Sequence, residues 1–253
     1  MTKQKESDPK FADENTSLIP QLTLDCIILG FHNNQLRVLL LRWKNTQEWS
    51  LPGGPVRQNE SVNAAAQRIL KERTGLDQIF LQQFHVFGEV ERYNRAEIQE
   101  KLKLIFDPNL WYERAVSIGY YALVDYSSVT PTPDAYTDEC QWWDIQDIPK
   151  LLFDHNHIIQ VALQALRHQL SWQPIGYNLL PHEFTLPELQ KLYETILDRK
   201  LDPRNFQRKL LGLGILERLP TRRKGGAHKS PYLYRFDKEK YEAGLKEGNL
   251  FFI

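Results

Sequence analysis

Leu22–Phe31 is rich in Leu and Ile and reads as a strand, His32-Asn33-Asn34 as a turn, and Leu36–Arg42 as a second strand; together they predict a hairpin. A short strand at Trp49-Ser50-Leu51 runs into the Gly-rich loop Pro52-Gly53-Gly54. From Ser61 to Thr74 the apolar positions Val62, Ala65, Ala66, Ile69 and Leu70 recur at helical spacing, and Gly75 ends the helix. Strand-like stretches follow at Ile79–Val90, Arg114–Tyr126 and Glu139–Asp144, with a polar, helix-compatible insertion, Asn94–Glu113, between the first two. Ile158, Val161, Ala162, Ala165, Leu166 and Leu170 then share one face of a helix spanning His157–Leu170. Strands interspersed with helices predict an α/β (α+β) domain over 19–170, after a flexible polar tail at 1–18.

Ser171–His182, with Pro174, Gly176 and Pro181, reads as a linker at 171–182. Beyond it, Thr185-Leu186-Pro187-Glu188 is a capping box, and its helix turns Leu186, Leu189, Leu192, Tyr193 and Ile196 inward. Asp202-Pro203 starts a second helix with Phe206, Leu210 and Leu213 inside. Strands at Ile215–Leu219 and Tyr232–Phe236 flank the loop Thr221–Ser230, so 183–253 has the element order of a winged helix-turn-helix.

The 253 residues carry 32 basic and 32 acidic side chains, but the balance is uneven. Arg199–Lys240 holds thirteen Lys or Arg against four Asp or Glu, a local excess of +9, so the remainder carries −9. Such a split points to a polyanionic partner for the basic part. No apolar run approaches the roughly 20 residues that span a bilayer, and no signal-peptide core is present. Cys26 and Cys140 form neither a disulfide framework nor a metal site. The expectation is a cytoplasmic bacterial protein with no membrane partner, cofactor or metal.

Gly54-x5-Glu60-x7-Arg68-Ile69-Leu70-Lys71-Glu72-Arg73-Thr74-Gly75-Leu76 resembles the Nudix box, whose pattern is Gly, five residues, Glu, seven residues, then Arg-Glu-apolar-x-Glu-Glu-x-Gly-apolar. In enzymes of that family three Glu on one helix face hold Mg²⁺, which neutralises a diphosphate and activates water. Here those positions are Ile69, Glu72 and Arg73: one carboxylate and one guanidinium, not a divalent-cation site. Gly54, Glu60, Arg68, Glu72 and Gly75 thus form a degenerate box, with Glu60 and Arg68 expected to pair across the loop–helix junction. No enzymatic activity is expected.

A degenerate Nudix domain followed by a basic winged helix is similar to the Nudix-related transcriptional regulators. Leu24-Asp25-Cys26-Ile27-Ile28, Trp49–Gly54, Pro174–Pro181 and Arg204-Asn205-Phe206 carry the same likeness, which covers about residues 20–240. It implies a Nudix-like mixed sheet sandwiched by helices in the first domain, and a homodimer that represses or activates catabolic or cofactor operons. One branch of that family senses ADP-ribose and another a sugar such as arabinose. The altered box leads us to expect the sugar, with a nucleotide of NAD metabolism as the alternative. An active Nudix hydrolase with a nucleic-acid-binding module, its metal held by carboxylates elsewhere such as Glu89 or Glu91, is the competing reading; an RNA-binding or scaffolding protein that uses the basic domain non-specifically is a third.

For operator DNA the candidates are Arg204, Asn205, Arg208 and Lys209 at the start of the recognition helix, where Arg suits guanine, Asn adenine and Lys phosphate. The wing adds Arg222, Arg223, Lys224 and Lys229 around Gly225-Gly226, with His228. For the effector we single out Arg42, Trp49, Arg92, Arg114, Tyr120 and Trp142, since small ligands are held by hydrogen bonds and aromatic faces. His155 and His157, at i and i+2 near a helix start, read as capping or surface residues.

Overall fold

The computed structural model describes residues 21–75, 81–103, 114–170, 177, 179–223 and 230–247. The expected hairpin forms from β1 (Gln21–His32) and β2 (Gln35–Trp43). Asn33 and Asn34 turn it with φ of 49° and 63°, left-handed backbone that asparagine tolerates. Then follow β3 (Trp49–Ser50), β4 (Gly53–Pro55), α1 (Val62–Thr74), β5 (Leu81–Phe87), α2 (Arg95–Leu102), β6 (Ala115–Val124), β7 (Thr137–Asp144) and α3 (His155–Leu170).

These strands make one seven-stranded mixed sheet. β6 runs parallel to β1 from Gln21↔Ala115 to Gly30↔Val124, and β5 and β7 close the edges on β6 and β2. The sheet splits near its middle. β1 and β2 pair only from Leu29↔Val38 to His32↔Gln35, and beyond that β4 takes β1 while β3 takes β2. Both faces are covered, so the central strands are apolar at nearly every position. Leu24, Cys26 and Tyr120 pack under α1; Ile27, Leu29, Tyr121 and Leu123 pack under α3.

Several boundaries differ from the sequence expectation. β5 stops at Phe87, because Gly88 follows and Glu89 and Val90 are exposed. β6 stops at Val124, where Asp125 caps a 3-10 turn at Tyr126–Ser128 by accepting the Ser127 N–H at 3.0 Å. Part of the insertion is packed: Asn94 caps α2, whose Ile98 and Leu102 are buried with Leu152. Residues 104–113 lie outside the described residues.

The C-terminal part contains β8 (Phe184–Thr185), α4 (Leu186–Leu197), α5 (Pro203–Gly212), β9 (Leu216–Arg222), β10 (Tyr232–Phe236) and α6 (Lys238–Glu247). β8, β10 and β9 form a three-stranded sheet in that order. The capping box is complete: the Glu188 N–H donates to Thr185 Oγ1 at 3.3 Å and the Thr185 N–H to Glu188 Oε2 at 2.7 Å. Polar spacing hides α6, which is held by Tyr241 stacked on Tyr177 at 5.1 Å.

Residues 171–176 and 178 of the expected linker lie outside the described residues, but Leu179 and Leu180 at its end are buried. One apolar cluster runs from Ile27, Leu29 and Leu40 through α3 to Leu189, Leu192 and Tyr193 of α4 and Phe206 of α5. Each such side chain contributes roughly 1.5–3 kcal/mol when fully buried, so the two parts share a core. Among the described residues no helix is long and apolar enough to cross a membrane.

Candidate functional site

The box helix α1 is fixed at both ends. Ser61 Oγ accepts the Ala64 N–H at 3.1 Å, and Gly75 ends the helix at φ 71°, its N–H donating to Lys71 O. Ahead of it, Gly53 lies so close to β1 that a Cβ would sit 2.5 Å from Leu24 O. The Glu60–Arg68 pair expected from the box forms across the loop–helix junction: Arg68 donates to the two Glu60 oxygens at 2.7 and 3.0 Å. The Arg68 hydrogen bonds, with the Arg57 N–H, hold the Glu60 carboxyl at about 2.

The face that carries three carboxylates in Nudix enzymes carries something else. Ile69 is buried on the β1 cluster, Glu72 is exposed with Oε1 3.6 Å from Arg68, and Arg73 is buried with NH2 2.5 Å from Asp134 Oδ2. The Thr132 N–H donates to Arg73 O at 3.1 Å, tying the same loop to the helix end. Asp134 is further occupied by Thr137 Oγ1 and the Tyr136 N–H. Among the described residues no three His, Cys, Asp or Glu side chains gather in metal-holding geometry. The donors present do not fit Mg²⁺, which needs several hard anionic oxygens at about 2.0–2.1 Å.

Where β1 and β2 part, the sheet opens into a cavity of about 410 Å³ bounded by β3, β4 and α1. That size falls within the usual range for small-molecule sites. Its floor is a buried polar network centred on Asp25 of β1. Ser117 Oγ donates to Asp25 Oδ2 at 2.5 Å, His155 Nε2 lies 3.2 Å from Oδ1, and Arg92 NH2 lies 3.7 Å from Oδ2. His155 Nδ1 accepts the Leu51 N–H at 2.9 Å, which leaves the Nε2 proton to face Asp25. Burial pushes the Asp25 carboxyl up, but His155, Ser117 and Arg92 outweigh it and hold the group below its ordinary value. Arg92 also grips both oxygens of Asp154 at 2.7 and 2.8 Å.

The walls combine guanidinium groups and rings. Arg57, Arg68, Arg73 and Arg92 line the cavity with Trp43, Tyr93, Tyr136 and Phe153. Tyr93 and Phe153 meet edge to face at 5.2 Å. Phe153 holds φ 57°, a left-handed backbone that costs on the order of 1–3 kcal/mol for a bulky residue and marks a constrained position.

Of the six effector candidates, the geometry brings Arg92 alone to this cavity. Arg42 pairs on the surface with Asp138 and Glu139 at 2.9 and 3.2 Å, and Trp49 is buried against Trp143. Arg114 donates to Gly88 O, Tyr120 donates to Asn63 from under α1, and Trp142 packs on Tyr126. His155, read from the sequence as a capping or surface residue, is buried in the floor because both ring nitrogens have partners there; His157 is exposed beside Phe87. One signal for the floor was present: Asp25 is a lone charge inside an apolar strand, a residue that must be paired to be buried.

On the opposite part, α5 is capped by Asp202, buries Phe206 and Leu210, and leaves Arg204, Asn205, Arg208 and Lys209 exposed. Arg208 NH2 donates to Asn205 Oδ1 at 2.8 Å. On the β9–β10 hairpin, Arg222 lies 3.9 Å over the Tyr232 ring, while Arg223 reaches back to the capping-box Glu188 at 2.6 Å. Lys224, Gly225, Gly226, His228 and Lys229 lie outside the described residues.

Comparison with known proteins agrees with this division. Residues 176–236 match the NrtR DNA-binding winged helix domain and residues 21–164 the NUDIX domain. Over 230 residues the chain is 29% identical to the ADPR responsive transcriptional repressor NtrR of Acinetobacter baylyi, covering 88% of this chain and 84% of that one. Over 146 residues it is 28% identical to the ADP-ribose pyrophosphatase of Methanocaldococcus jannaschii, covering 56% of this chain and 73% of that one. The crystal structure of Shewanella oneidensis NrtR superimposes with a TM-score of 0.69 at 25% identity, covering 87% of this chain and 96% of that one. The chain belongs to the NUDIX domain family, with an NrtR-type DNA-binding winged helix domain joined to the Nudix part.

Proposed function

We propose that this protein is a transcriptional regulator whose Nudix domain binds ADP-ribose without hydrolysing it and whose winged helix, in a homodimer, binds operator DNA. The observation that carries the reading is the box face: Ile69, Glu72 and an Arg73 locked to Asp134 stand where hydrolysis needs metal-binding carboxylates. The repressor of Acinetobacter baylyi, described as ADPR responsive, supports the choice of ligand. So does the cavity lining, because guanidinium forks suit a diphosphate and aromatic rings suit a base. The pentose expected from the altered box gives way to this nucleotide alternative, which the ADPR responsive repressor supports, whereas none of the relatives named above supports the sugar.

The test is a pair of assays on the purified chain. ADP-ribose is expected to raise the melting temperature and to change the affinity for duplex DNA, and arabinose to do neither. With Mg²⁺ or Mn²⁺, ADP-ribose is expected to remain intact. Metal-dependent turnover at roughly 1 s⁻¹ or more would reject the regulator reading in favour of the hydrolase, the second reading that the pyrophosphatase of Methanocaldococcus jannaschii supports.

A further inference from the structure

α3 begins at the cavity and ends at the DNA-binding part. At its start, Asp154 holds Arg92 and His155 holds Asp25 and Leu51, and Arg92, Asp25, Leu51 and His155 all line the cavity. Asn156 fastens the same turn: its Oδ1 accepts the Leu151 N–H at 2.8 Å and its Nδ2 donates to Pro149 O at 2.9 Å. Along its length Ile158, Ile159, Ala162 and Leu166 are buried against the sheet, so the helix is held as a rod. Sixteen residues at about 1.5 Å each make it about 24 Å long.

At the far end, Arg167 Nε donates to Ile196 O in the last turn of α4 at 2.7 Å. The last four carbonyls of a helix have no partner within the helix. In α4 the Glu194 carbonyl is met locally by the N–H groups of Asp198 and Arg199, whereas the Ile196 carbonyl is met by Arg167, a cation at the negative helix end. α4 in turn seats α5: Tyr193 and Phe206 stack edge to face at 5.3 Å. Thr195 Oγ1, which donates to Lys191 O within α4 at 2.8 Å, also lies 3.3 Å from Asn34 O in the β1–β2 turn, a weaker contact between the parts at a residue that does not line the cavity.

We infer that α3 transmits occupancy of the cavity to the DNA-binding domain, with Arg167 as the residue that positions α4. The inference rests on the proposed function and adds the route of its regulation. A ligand that engages Arg92 competes with Asp154 and Asp25 for that guanidinium, which alters the anchoring of the first turn of α3. The Arg167 hydrogen bond passes that change to α4 and so to the exposed face of α5.

The experiment uses the full chain, ADP-ribose, and a duplex selected from a random pool on the ligand-free protein. ADP-ribose affinity is measured by calorimetry, and DNA affinity by fluorescence anisotropy with and without ADP-ribose. The native chain is expected to show a coupling of roughly 5- to 150-fold. Arg167→Leu is expected to bring that factor to within about twofold of unity while both separate affinities stay within about threefold of native. Arg167→Lys, which keeps a donor and the charge, restores part of it, and Thr195→Val leaves it intact. Native coupling in Arg167→Leu, or its loss in Thr195→Val alone, overturns the inference while leaving the function standing. Loss of DNA binding by folded Arg167→Leu without ligand also overturns it, since Arg167 is then only a support. A native chain that ignores ADP-ribose fails the proposed function instead; the inference then stands or falls on repeating the DNA titrations with a ligand that does stabilise the chain.

Discussion

Replacing Asp25 by Asn tests whether the cavity floor is an obligatory buried network. The native carboxylate accepts from Ser117 Oγ and faces His155 Nε2, and it is 8% exposed. An asparagine keeps one oxygen, so one of the two donors then meets an amide N–H instead of an acceptor. A buried donor left without a partner costs about 1–3 kcal/mol. Arg92 keeps its bidentate contact with Asp154, so no unpaired buried charge is created and the larger penalty of about 3–5 kcal/mol does not apply. The expected loss is therefore about 2 kcal/mol at pH 7, read from urea denaturation with an unchanged m-value. Because the Asp25 carboxyl is held below the ordinary aspartate value of 3.8 in the folded chain, its contribution is present above that pH and is lost as pH falls through the folded value. The gap between native and Asp25→Asn should thus be full at pH 5–7 and shrink below about 3.8. A loss under about 0.5 kcal/mol, or one that ignores acid down to the onset of unfolding, would show that Asp25 is not held as an anion by its neighbours.

Two further outcomes follow from the same geometry. ADP-ribose should raise the melting temperature equally with EDTA and with Mg²⁺, since the box face offers a paired guanidinium rather than a metal site; strict Mg²⁺ dependence would mean that the cavity binds its ligand through the cation. Arg204→Ala or Asn205→Ala should each cost about 1–3 kcal/mol on a selected operator and relax preference at one base position, and equal losses on operator and random duplex would move base reading away from α5.

Local signals were legible in the sequence where chemistry acts over a few residues. Gly75 at the end of α1, the Thr185–Glu188 box and Asp202-Pro203 all mark real helix ends, because caps depend on neighbours three or four positions away. The Glu60–Arg68 clamp, eight positions apart, was legible through the likeness to the Nudix box rather than through local periodicity. The cavity was not, because its wall residues Trp43, Tyr93 and Phe153 are far apart in the chain and meet only through the split between β1 and β2. Side-chain alternation explains the Arg42 case: Leu41 and Trp43 line the cavity, and Arg42 between them points to Asp138. His155 and His157, two positions apart, begin one helix yet differ wholly, since only His155 lies over Asp25.

The uneven charge of the chain invites an electrostatic account of regulation, in which an anionic ligand in the acidic part weakens DNA binding by the basic part. Magnitudes decide against it. Two unit charges separated by the length of α3, about 24 Å, interact in water by roughly 0.2 kcal/mol. A Debye length of about 8 Å at physiological salt reduces that to roughly 0.01 kcal/mol per pair. Even two ligand charges acting on the full local excess of +9 give on the order of 0.2 kcal/mol, well under the roughly 1–3 kcal/mol typical of coupled sites. A single interdomain hydrogen bond to a charged donor, such as Arg167 to Ile196 O, is worth about 1.5–3 kcal/mol. The contiguous core from Ile27 to Phe206 makes any displacement of α3 a displacement of what seats α5. Contact through α3 has the magnitude that regulation needs, and the field of the ligand does not. Coupling should therefore survive salt that abolishes most of the non-specific DNA affinity.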